Sequence, residues 1–334
     1  MKISLVGCGG ISKSHFAAIK SLDGNKLISV ADIKAERAQA AADLTGAEPF
    51  TDLDLMLDAQ KPDVLHICTP HYLHADMALN AMKRGIHVLI EKPCAVNLDE
   101  LQKLRQAQDE TGLQVGVCFQ NRYNESTEKL MEVLSDESTG KLLGMRGFVT
   151  WNRGQAYYSD DWHGTLDKEC GGVLINQAIH TLDLMQRAGG GVKELIGHTA
   201  NDHLQGVIEV EDTATILMDF NQGAKGVFYA TLANYNDAPI MIDFVCENLK
   251  LRLEGDNLYK IGPCGEIEVL HEVGEKKLYG KACWGSGHTA LIADFYDCIK
   301  EGRPFAIDAY EGGKALETVL AVYKSSASDQ KIEI

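Results

Sequence analysis

The order of apolar and polar residues in the first third of the chain alternates between two periods. Short apolar runs, typical of buried strands, occur at 2–6, 26–31, 64–68, 87–90 and 114–119. Between them, apolar residues recur at helical spacing over 11–22, 35–44, 74–84 and 98–111. Strands and helices that alternate in this way predict βαβ units and a parallel, doubly wound sheet.

After residue 120 the pattern changes. Strands are predicted at 142–151, 207–210, 213–220, 226–232, 240–246 and 250–254, and several of them alternate apolar and polar residues. Turn signals such as Asn221-Gln222-Gly223 separate neighbouring strands, so we expect a mostly antiparallel sheet. Helices are predicted at 172–187, 288–301 and 310–326. The 334 residues therefore divide into an α/β domain over 1–120 and an α+β domain over 121–334.

Composition excludes several classes of protein. With 45% apolar and 24% charged residues, the chain is typical of globular domains that bury a substantial core. A net charge of −16 disfavours nucleic acids and anionic membranes as partners, because both require basic patches. No signal-peptide pattern and no run of 18 apolar residues is present, so we expect a cytoplasmic protein. The nine cysteines are scattered without a C-x-x-C pair, which argues against a disulfide framework and against a metal site.

The segment VGCGGIS lies between the first predicted strand and the first predicted helix. Gly7, Gly9 and Ser12 follow the pattern G-x-G-x-x-S, in which the first glycine permits a tight turn and the second lets the backbone approach a pyrophosphate. The third position normally holds glycine or alanine, and Ser12 is small enough to replace them. Asp32 closes the second strand, where an acid binds a ribose 2′-hydroxyl and repels a 2′-phosphate. These features predict a Rossmann domain that prefers NAD to NADP. Arg37 could accept the 2′-phosphate, although we expect it to be a solvated helix residue.

Two further segments follow predicted strands at the carboxyl edge of the sheet, where ligands bind in such folds. Thr69 and Pro70 follow the third strand, and we expect the next residue, His71, to lie on the loop surface. The segment 91–93 reads Glu-Lys-Pro and follows the fourth strand. Its X-Pro bond is of the kind that adopts the cis form. Lys92 would then be held close to a nicotinamide at this edge.

The second domain contributes four candidate residues. Arg122 either binds a substrate oxygen or braces the start of the domain through salt bridges, and Trp162 either walls a substrate pocket or packs its own loop. The segment 171–184 reads GGVLINQAIHTLDL. On the helix predicted there, Asn176 and His180 project from one face, because four residues make just over one turn. Taken alone, they could be a reactive pair or two buried polar residues.

Six segments together resemble the Gfo/Idh/MocA family of dehydrogenases: VGCGGIS, CTPHYLH, EKPCAV, FQNR, GGVLINQAIHTLDL and HTALIADFYDCIKEGRPF. They occur in the order typical of the family and span nearly the whole chain. The resemblance implies an N-terminal Rossmann domain and a C-terminal α+β domain built on a large open sheet. Members commonly form dimers or tetramers through that sheet, so a homodimer or a homotetramer is expected.

The resemblance also implies roles for individual residues. Lys92 would orient the reacting hydroxyl and contact the nicotinamide ribose, and His180 would be the general acid/base. The position four residues before this histidine is often aspartate in sugar dehydrogenases, whereas here it is Asn176, which we assign to substrate positioning. The predicted substrate-binding residues are Lys92, Arg122, Trp162, Asn176 and His180. The predicted cofactor-binding residues are Gly7, Gly9, Gly10, Ile11, Ser12, Asp32, Arg37, Thr69, Pro70, His74, Glu91, Lys92 and Gln120.

The function expected on these grounds is hydride transfer between NAD and a secondary alcohol or ketone of a sugar, a sugar derivative or a polyol. A histidine can take the hydroxyl proton near neutral pH, and a lysine ammonium stabilises developing alkoxide charge. Two alternatives stay open. One is glycoside hydrolysis in which tightly held NAD oxidises and then re-reduces the sugar, and the other is a non-catalytic NAD-binding regulator.

Overall fold

The structure, a computed structural model, describes residues 1–273 and 287–334. These residues form two compact units. The first comprises Met1–Gln120 together with 287–313, and the second comprises 121–273 and 314–334. The first change of unit falls after Gln120, and the division expected from the sequence stays a prediction. However, the C-terminal segment from 287 to 313 groups with the first unit and not with the second.

The first unit contains a six-stranded parallel sheet in the order β3-β2-β1-β4-β5-β6, which is the doubly wound order of Rossmann folds. Its strands are β1 (Lys2–Val6), β2 (Lys26–Ala31), β3 (Glu48–Phe50), β4 (Val64–Ile67), β5 (His87–Glu91) and β6 (Val115–Cys118). Its helices are α1 (Ser12–Ser21), α2 (Ala35–Thr45), α3 (Leu53–Gln60), α4 (His74–Met82), α5 (Leu98–Thr111) and α8 (His288–Glu301). The predicted α/β class is confirmed, and β3 and α3 are additions to the predicted elements.

Helix α8 belongs to the first unit because its apolar face packs on the parallel sheet. Phe295 is fully buried, and a Cβ added to Gly116 in β6 would lie 2.8 Å from its ring. The N–H of Val117 in the same strand donates to the carbonyl of Ile307, at 2.9 Å. Amphipathic spacing predicted the helix but does not show which sheet its apolar face covers.

The second unit contains a nine-stranded sheet in the order β14-β13-β12-β11-β7-β10-β9-β8-β15. Among the described strands only β7 and β10 pair in parallel, so the sheet is mostly antiparallel, as predicted. Its strands are β7 (Leu142–Thr150), β8 (Val192–Ala200), β9 (Thr213–Phe220), β10 (Lys225–Thr231), β11 (Met241–Cys246), β12 (Lys250–Glu254), β13 (Asn257–Ile261), β14 (Ile267–His271) and β15 (Ile332–Glu333). Its helices are α6 (Glu125–Ser135) and α7 (Ile179–Ala188), and α9 (Ala309–Ser328) begins in the first unit and ends in the second.

One face of the nine-stranded sheet is open. In β9, Ile216 and Met218 are buried, whereas the intervening Leu217 is 59% exposed. Val227 in β10 and Val245 in β11 are also exposed. Alternation of this kind is typical of an antiparallel sheet that packs on one side only.

Two predicted elements of the second unit are wrong. The segment 207–210 is a loop and not a strand. The carboxylate of the buried Asp212 accepts the N–H groups of His203 and Leu204, both at 2.7 Å, and so holds this loop. The helix predicted over 172–187 begins only at Ile179, after a series of turns at 172–178.

Within 1–273 and 287–334, no helix combines the length and the apolar character needed to cross a membrane.

Candidate active site

The two glycines of the turn in the first unit differ in their surroundings. The protein has no room for a side chain at one position and leaves open space at the other. Gly7 has φ +90°, and a Cβ there would lie 2.5 Å from the carbonyl carbon and oxygen of Cys68. A Cβ on Gly9 would meet no atom within 4 Å. The open space beside Gly9 is what the approach of a pyrophosphate needs. Ser12 is buried, and its hydroxyl donates to the Gly9 carbonyl at 2.7 Å, so the departure from glycine or alanine adds a hydrogen bond to the turn.

Asp32 follows β2 directly and is buried beside this turn. Its two carboxylate oxygens accept the N–H groups of Cys8 and Lys34, both at 2.9 Å. A carboxylate can accept about four hydrogen bonds, so these two leave capacity for ribose hydroxyls. Burial, followed by the charge of Asp32, raises the pKa of the Cys8 thiol to about 12, and the charge of Arg37 opposes this shift. Arg37 is exposed on α2, as predicted, yet it is near enough to the turn to act on Cys8.

The loops after β4 and β5 are joined by one buried histidine. The Nδ1 of His74 lies 2.7 Å from the Pro93 carbonyl, and its Nε2 lies 2.7 Å from the Thr69 carbonyl. Burial lowers the pKa of His74, and the two carbonyls oppose this. A neutral His74 has one N–H and donates it to one of these two carbonyls, while its ring lies against the other. Pro70 is partly exposed, but the prediction of a surface position for His71 is wrong, because the side chain is 3% exposed at the start of a short 3₁₀-helix.

A chain of buried hydrogen bonds ends at the main chain of Lys92. The hydroxyl of Tyr296 lies 2.9 Å from His66 Nε2, and His66 Nδ1 lies 2.8 Å from His15 Nδ1. His15 Nε2 lies 3.0 Å from Glu91 Oε1. Glu91 Oε2 accepts the N–H of Lys92 at 3.3 Å, and the Lys92–Pro93 bond is cis. Lys92 is only partly buried, whereas the other four residues are buried.

The chemistry of the end groups, Tyr296 and Glu91, determines which atom donates and which accepts in each of these hydrogen bonds. Burial raises the pKa of Glu91, but His15 and His288, whose Nε2 lies 3.4 Å from Glu91 Oε1, together outweigh burial and hold the pKa well below the usual range. Glu91 is therefore ionised and can only accept hydrogen bonds. Burial raises the pKa of Tyr296 well above its ordinary value, so the phenol donates to His66. Burial also lowers the pKa values of His15 and His66, which keeps both neutral. His15 therefore carries its proton on Nε2, and His66 carries its proton on Nδ1.

His15 and Glu91 also lie near the buried Cys118, and a metal ion could bridge these three side chains. The ligand atoms of His15, Glu91 and Cys118 lie within 4.8 Å of one another. Burial raises the pKa of the Cys118 thiol well above its usual value, so without an ion the thiol is protonated. Because the proton assignment accounts for the contacts of His15 and Glu91 without an ion, we interpret the group as part of the hydrogen-bonded chain. The absence of a bound metal stays a prediction.

In the second unit, a buried ion pair holds the helix that carries His180. The Nε of Arg122 lies 2.7 Å from Asp183 Oδ2, and Nη2 lies 2.6 Å from Oδ1. Of the two roles considered for Arg122, the structure thus shows the salt bridge. Eight of the ten residues of α7 are buried, and the two that are not are His180 and Arg187. Sequence reasoning missed Asp183, although an acid three residues after His180 was visible in the motif.

The glycine pair before α7 is required by close contacts. A Cβ on Gly172 would lie 1.9 Å from the Glu211 carbonyl oxygen, and a Cβ on Gly171 would lie 2.2 Å from the Tyr323 hydroxyl. The carboxylate of Glu211 accepts the N–H groups of Gly172 and Leu174 and the hydroxyl of Tyr323, at 2.9 to 3.0 Å. These bonds anchor the turns that precede the helix, which begins at Ile179. The placement of Asn176 and His180 on one helical face is therefore wrong, since Asn176 lies in the preceding turns.

Aromatic and amide side chains surround this turn. Trp162 is partly exposed and stacks on His163, with ring centroids 3.7 Å apart. The Tyr157 hydroxyl accepts from Gln177 Nε2 at 3.3 Å. Of the two roles considered for Trp162, the observed contact is packing within its loop, and a wall of a substrate pocket stays a prediction.

The remaining predicted cofactor residues lie at the borders of elements. Gly10 is exposed and Ile11 partly exposed, directly before α1. Gln120 is buried in a short 3₁₀-helix that follows β6. Their contacts to a cofactor stay predictions.

Two family models match the chain in succession. The model described as "Oxidoreductase family, NAD-binding Rossmann fold" matches residues 1–119, and the model of the GFO/IDH/MocA C-terminal domain matches residues 127–252. The chain belongs to the Gfo/Idh/MocA family. It is an oxidoreductase of this family, and its cofactor is NAD.

Several relatives are similar over much or all of the chain. The D-glucoside 3-dehydrogenase of Escherichia coli is 28% identical over 356 residues, covering 100% of this chain and 97% of the relative. The glucose-6-phosphate 3-dehydrogenase of Bacillus subtilis is 25% identical over 185 residues, covering 55% of this chain and 52% of the relative. The WlbA dehydrogenase of Bordetella pertussis, solved in complex with NADH and UDP-GlcNAcA, is 28% identical, with a TM-score of 0.89 over 100% of this chain and 97% of that structure.

The buried histidines predict how the stability of this family member depends on pH. The pKa values of His15 and His66 are lowered in the folded state, so the unfolded chain binds more protons once the pH falls below about 6.5. The free energy of unfolding should therefore decrease with pH from about 6.5 downwards, as chemical denaturation would measure. Replacing His66 by Phe should flatten this slope, and replacing the exposed His198 of β8 by Gln should not. An imidazolium ¹⁵N NMR signal from His15 or His66 in the folded protein at pH 6 would contradict the assignment.

The position of Asp32 predicts its effect on cofactor affinity. Asp32→Ala should raise the KM for NAD by roughly 10–100-fold, because a hydrogen bond to a charged group contributes about 1.5–3 kcal/mol. At saturating NAD, kcat should change by less than about twofold, since the interaction is the same in ground and transition states. The matched control is the exposed Asp23→Ala. An unchanged KM for NAD in Asp32→Ala would exclude the ribose contact.

Proposed function

We propose that the protein is an NAD-dependent dehydrogenase that oxidises a secondary hydroxyl of a sugar derivative, with Lys92 and His180 as its catalytic residues. The observation that carries the proposal is the position of Lys92. It directly follows the buried Glu91 at the carboxyl end of β5, in the sheet that also carries the glycine turn and Asp32. A lysine whose main chain is held at this edge has a role that a surface lysine would not need.

The residues around the turn fit the cofactor. The open side of Gly9 would receive the pyrophosphate, and the remaining acceptor capacity of Asp32 would bind ribose hydroxyls. Asp32 also disfavours a 2′-phosphate, so NADP is the weaker cofactor. When bound, NAD supplies the acceptor for the hydride that leaves the carbinol carbon.

The two catalytic residues divide the work on the hydroxyl. Lys92 donates a hydrogen bond to the reacting oxygen and, through its positive charge, stabilises the oxygen as it loses its proton. His180 accepts that proton as a neutral imidazole and returns it in the reverse direction. The ion pair between Arg122 and Asp183 fixes α7 and therefore the position of His180. Asn176 cannot transfer a proton, so it acts by orienting the sugar through hydrogen bonds.

The names of two relatives point to the position that is oxidised. The glucoside and the glucose-6-phosphate dehydrogenases both act at C3 of a glucose derivative, and we propose the same carbon here. The substituents differ between these relatives, and the WlbA structure holds a nucleotide sugar. The substrate class proposed is therefore a glucose-type pyranose that carries a substituent.

Oligomerisation through the nine-stranded sheet is part of the proposal. Exposed apolar side chains lie on its open face, including Leu217 and Val227 in the paired strands β9 and β10 and Val245 in β11. Burying such a face stabilises association. We propose a homodimer or a homotetramer formed through this surface.

Replacement of the catalytic residues is expected to remove the chemistry and not the cofactor. Lys92→Met and His180→Ala should each lower kcat/KM for the sugar by roughly 10²–10⁴-fold, which is the contribution of a positioned acid/base or charge. Binding of NADH, followed by its fluorescence, should stay close to that of the wild type. The exposed Lys103→Met is the control for loss of a lysine. Wild-type turnover in either catalytic variant would refute the assignment.

A substrate panel tests the proposed reaction. NADH formation should be fastest with glucosides, glucose 6-phosphate or UDP-linked glucose-type sugars that have a free C3 hydroxyl, and the 3-deoxy analogues should be inactive. Release of free sugar from a glycoside without added NAD would instead support the hydrolase. Tight NAD binding with no turnover of any sugar would support the regulator.

A further inference from the structure

The loop that carries Trp162 and the turn that carries Asn176 share one buried carboxylate. Glu169 is 1% exposed, and neither sequence pattern nor family motif had singled it out. Its Oε1 accepts a hydrogen bond from Asn176 Nδ2 at 2.5 Å, and its Oε2 accepts one from the N–H of Gly164. Both oxygens of this carboxylate are thus engaged by donors from different parts of the segment.

This contact determines which end of the Asn176 amide faces Glu169. An ionised carboxylate only accepts hydrogen bonds, so the NH₂ group must point toward it. The amide oxygen of Asn176 then lies on the opposite side of the group. The orientation is a consequence of the charge on Glu169 and would be lost if that charge were removed.

The contact also explains why position 176 is not aspartate. A second carboxylate 2.5 Å from Glu169 would place two negative charges in a buried site, where both cannot be ionised together. An amide at 176 and a carboxylate at 169 keep a single negative charge and one hydrogen bond between them. The same charge and the same bond would be kept if the two groups changed places.

We propose that Glu169 is a positioning residue of the active site, which supplies through Asn176 the negative charge that an aspartate at position 176 supplies in related sugar dehydrogenases. The inference rests on the proposed function, because it takes Asn176 as a residue that contacts the sugar. Glu169 itself does not touch the substrate in this scheme. It holds the Asn176 amide, and through Gly164 it holds the loop of Trp162.

The phenol of Tyr157 is a neighbour of Glu169. Burial, followed by the charge of Glu169, raises the pKa of Tyr157 to about 12. Tyr157 thus stays protonated and keeps its contact with Gln177 at 3.3 Å. Removal of the charge at 169 would change the environment of this phenol as well as the orientation of Asn176.

Single replacements should impair the site for different reasons. In Asn176→Asp, two carboxylates would have to share a proton, so kcat/KM for the sugar should fall by roughly 10–100-fold at pH 7 and the pH–rate profile should shift. In Glu169→Gln, the new amide has only one oxygen for two donors, so either Asn176 or Gly164 loses its acceptor. A loss of roughly tenfold is expected, mainly in KM for the sugar.

The double variant Glu169→Gln/Asn176→Asp should restore activity. The oxygen of the glutamine introduced at position 169 could accept from Gly164, while its NH₂ group donates to the aspartate introduced at position 176. Every contact is then satisfied again with one negative charge. We expect kcat/KM for the sugar to recover to within about fivefold of the wild type, which is the coupling that a double-mutant cycle detects. KM for NAD should stay constant throughout.

The control is Glu209→Gln, because Glu209 is an exposed carboxylate in the same region that accepts the N–H of Leu166 at 2.9 Å. This variant should retain wild-type kinetics and an unshifted pH profile. A double variant no better than Asn176→Asp, or wild-type kinetics in Glu169→Gln, would overturn the inference. If Glu169 only braced the fold, the double variant would recover thermal stability while its sugar KM and pH profile stayed altered. If the wild type oxidises no sugar of the panel, the proposed function fails and this inference fails with it.

Discussion

The first unit depends on keeping one buried carboxylate charged. Glu91 is buried at the end of β5, where an isolated charge would be strongly destabilised. The hydrogen bonds from His15 and from the Lys92 N–H, together with the nearby His288, offset that cost. His66 and Tyr296 support the tautomer in which His15 donates to Glu91. Side chains from the helix that follows the glycine turn, from two strands and from α8 thereby converge on the peptide group of Lys92. The position of this lysine is consequently a property of the whole unit and not of its loop alone.

Buried, hydrogen-bonded carboxylates also hold the loops of the second unit. Buried carboxylates accept main-chain N–H groups where regular structure is interrupted. Glu211 accepts the N–H groups of residues 172 and 174, Asp212 those of residues 203 and 204, and Glu169 that of residue 164. A buried N–H group without an acceptor destabilises the fold by about 1–3 kcal/mol, so each carboxylate both shapes and stabilises its loop. The irregular segment before α7 is therefore held by specific acceptors. In the same way, the contact with Glu169 orients Asn176 outside any helix.

The sequence predicts the features that depend on residues close together in the chain and misses those that depend on contacts with distant residues. The glycine turn, Asp32 and the alternating strands follow from spacing along the chain, and they were confirmed as parts of the fold. The start of α7 was misplaced because the apolar spacing continues through 172–178, which the structure forms as turns anchored by Glu211, some forty residues away. His71 was expected on the surface because a polar residue after a strand usually is, and its burial depends on packing that no local pattern records. The sequence division placed α8 in the second domain for a similar reason, because the apolar face of a helix does not indicate which sheet it packs on.

The motif H-x-x-D-L at 180–184 combines a candidate catalytic base with the acid that anchors its helix. Residues three apart on a helix lie near one another but not on the same line, so His180 and Asp183 meet different surroundings. Asp183 is buried against Arg122 in a bidentate ion pair, whereas His180 is one of the two residues of α7 that stay accessible. Removal of either partner of a buried pair is strongly destabilising, because it leaves the other charge without compensation. The spacing between the histidine and the acid is thus a physical requirement. The acid anchors the helix so that the base is presented from a fixed point, and a shift of one residue in either would turn one of them to the wrong side.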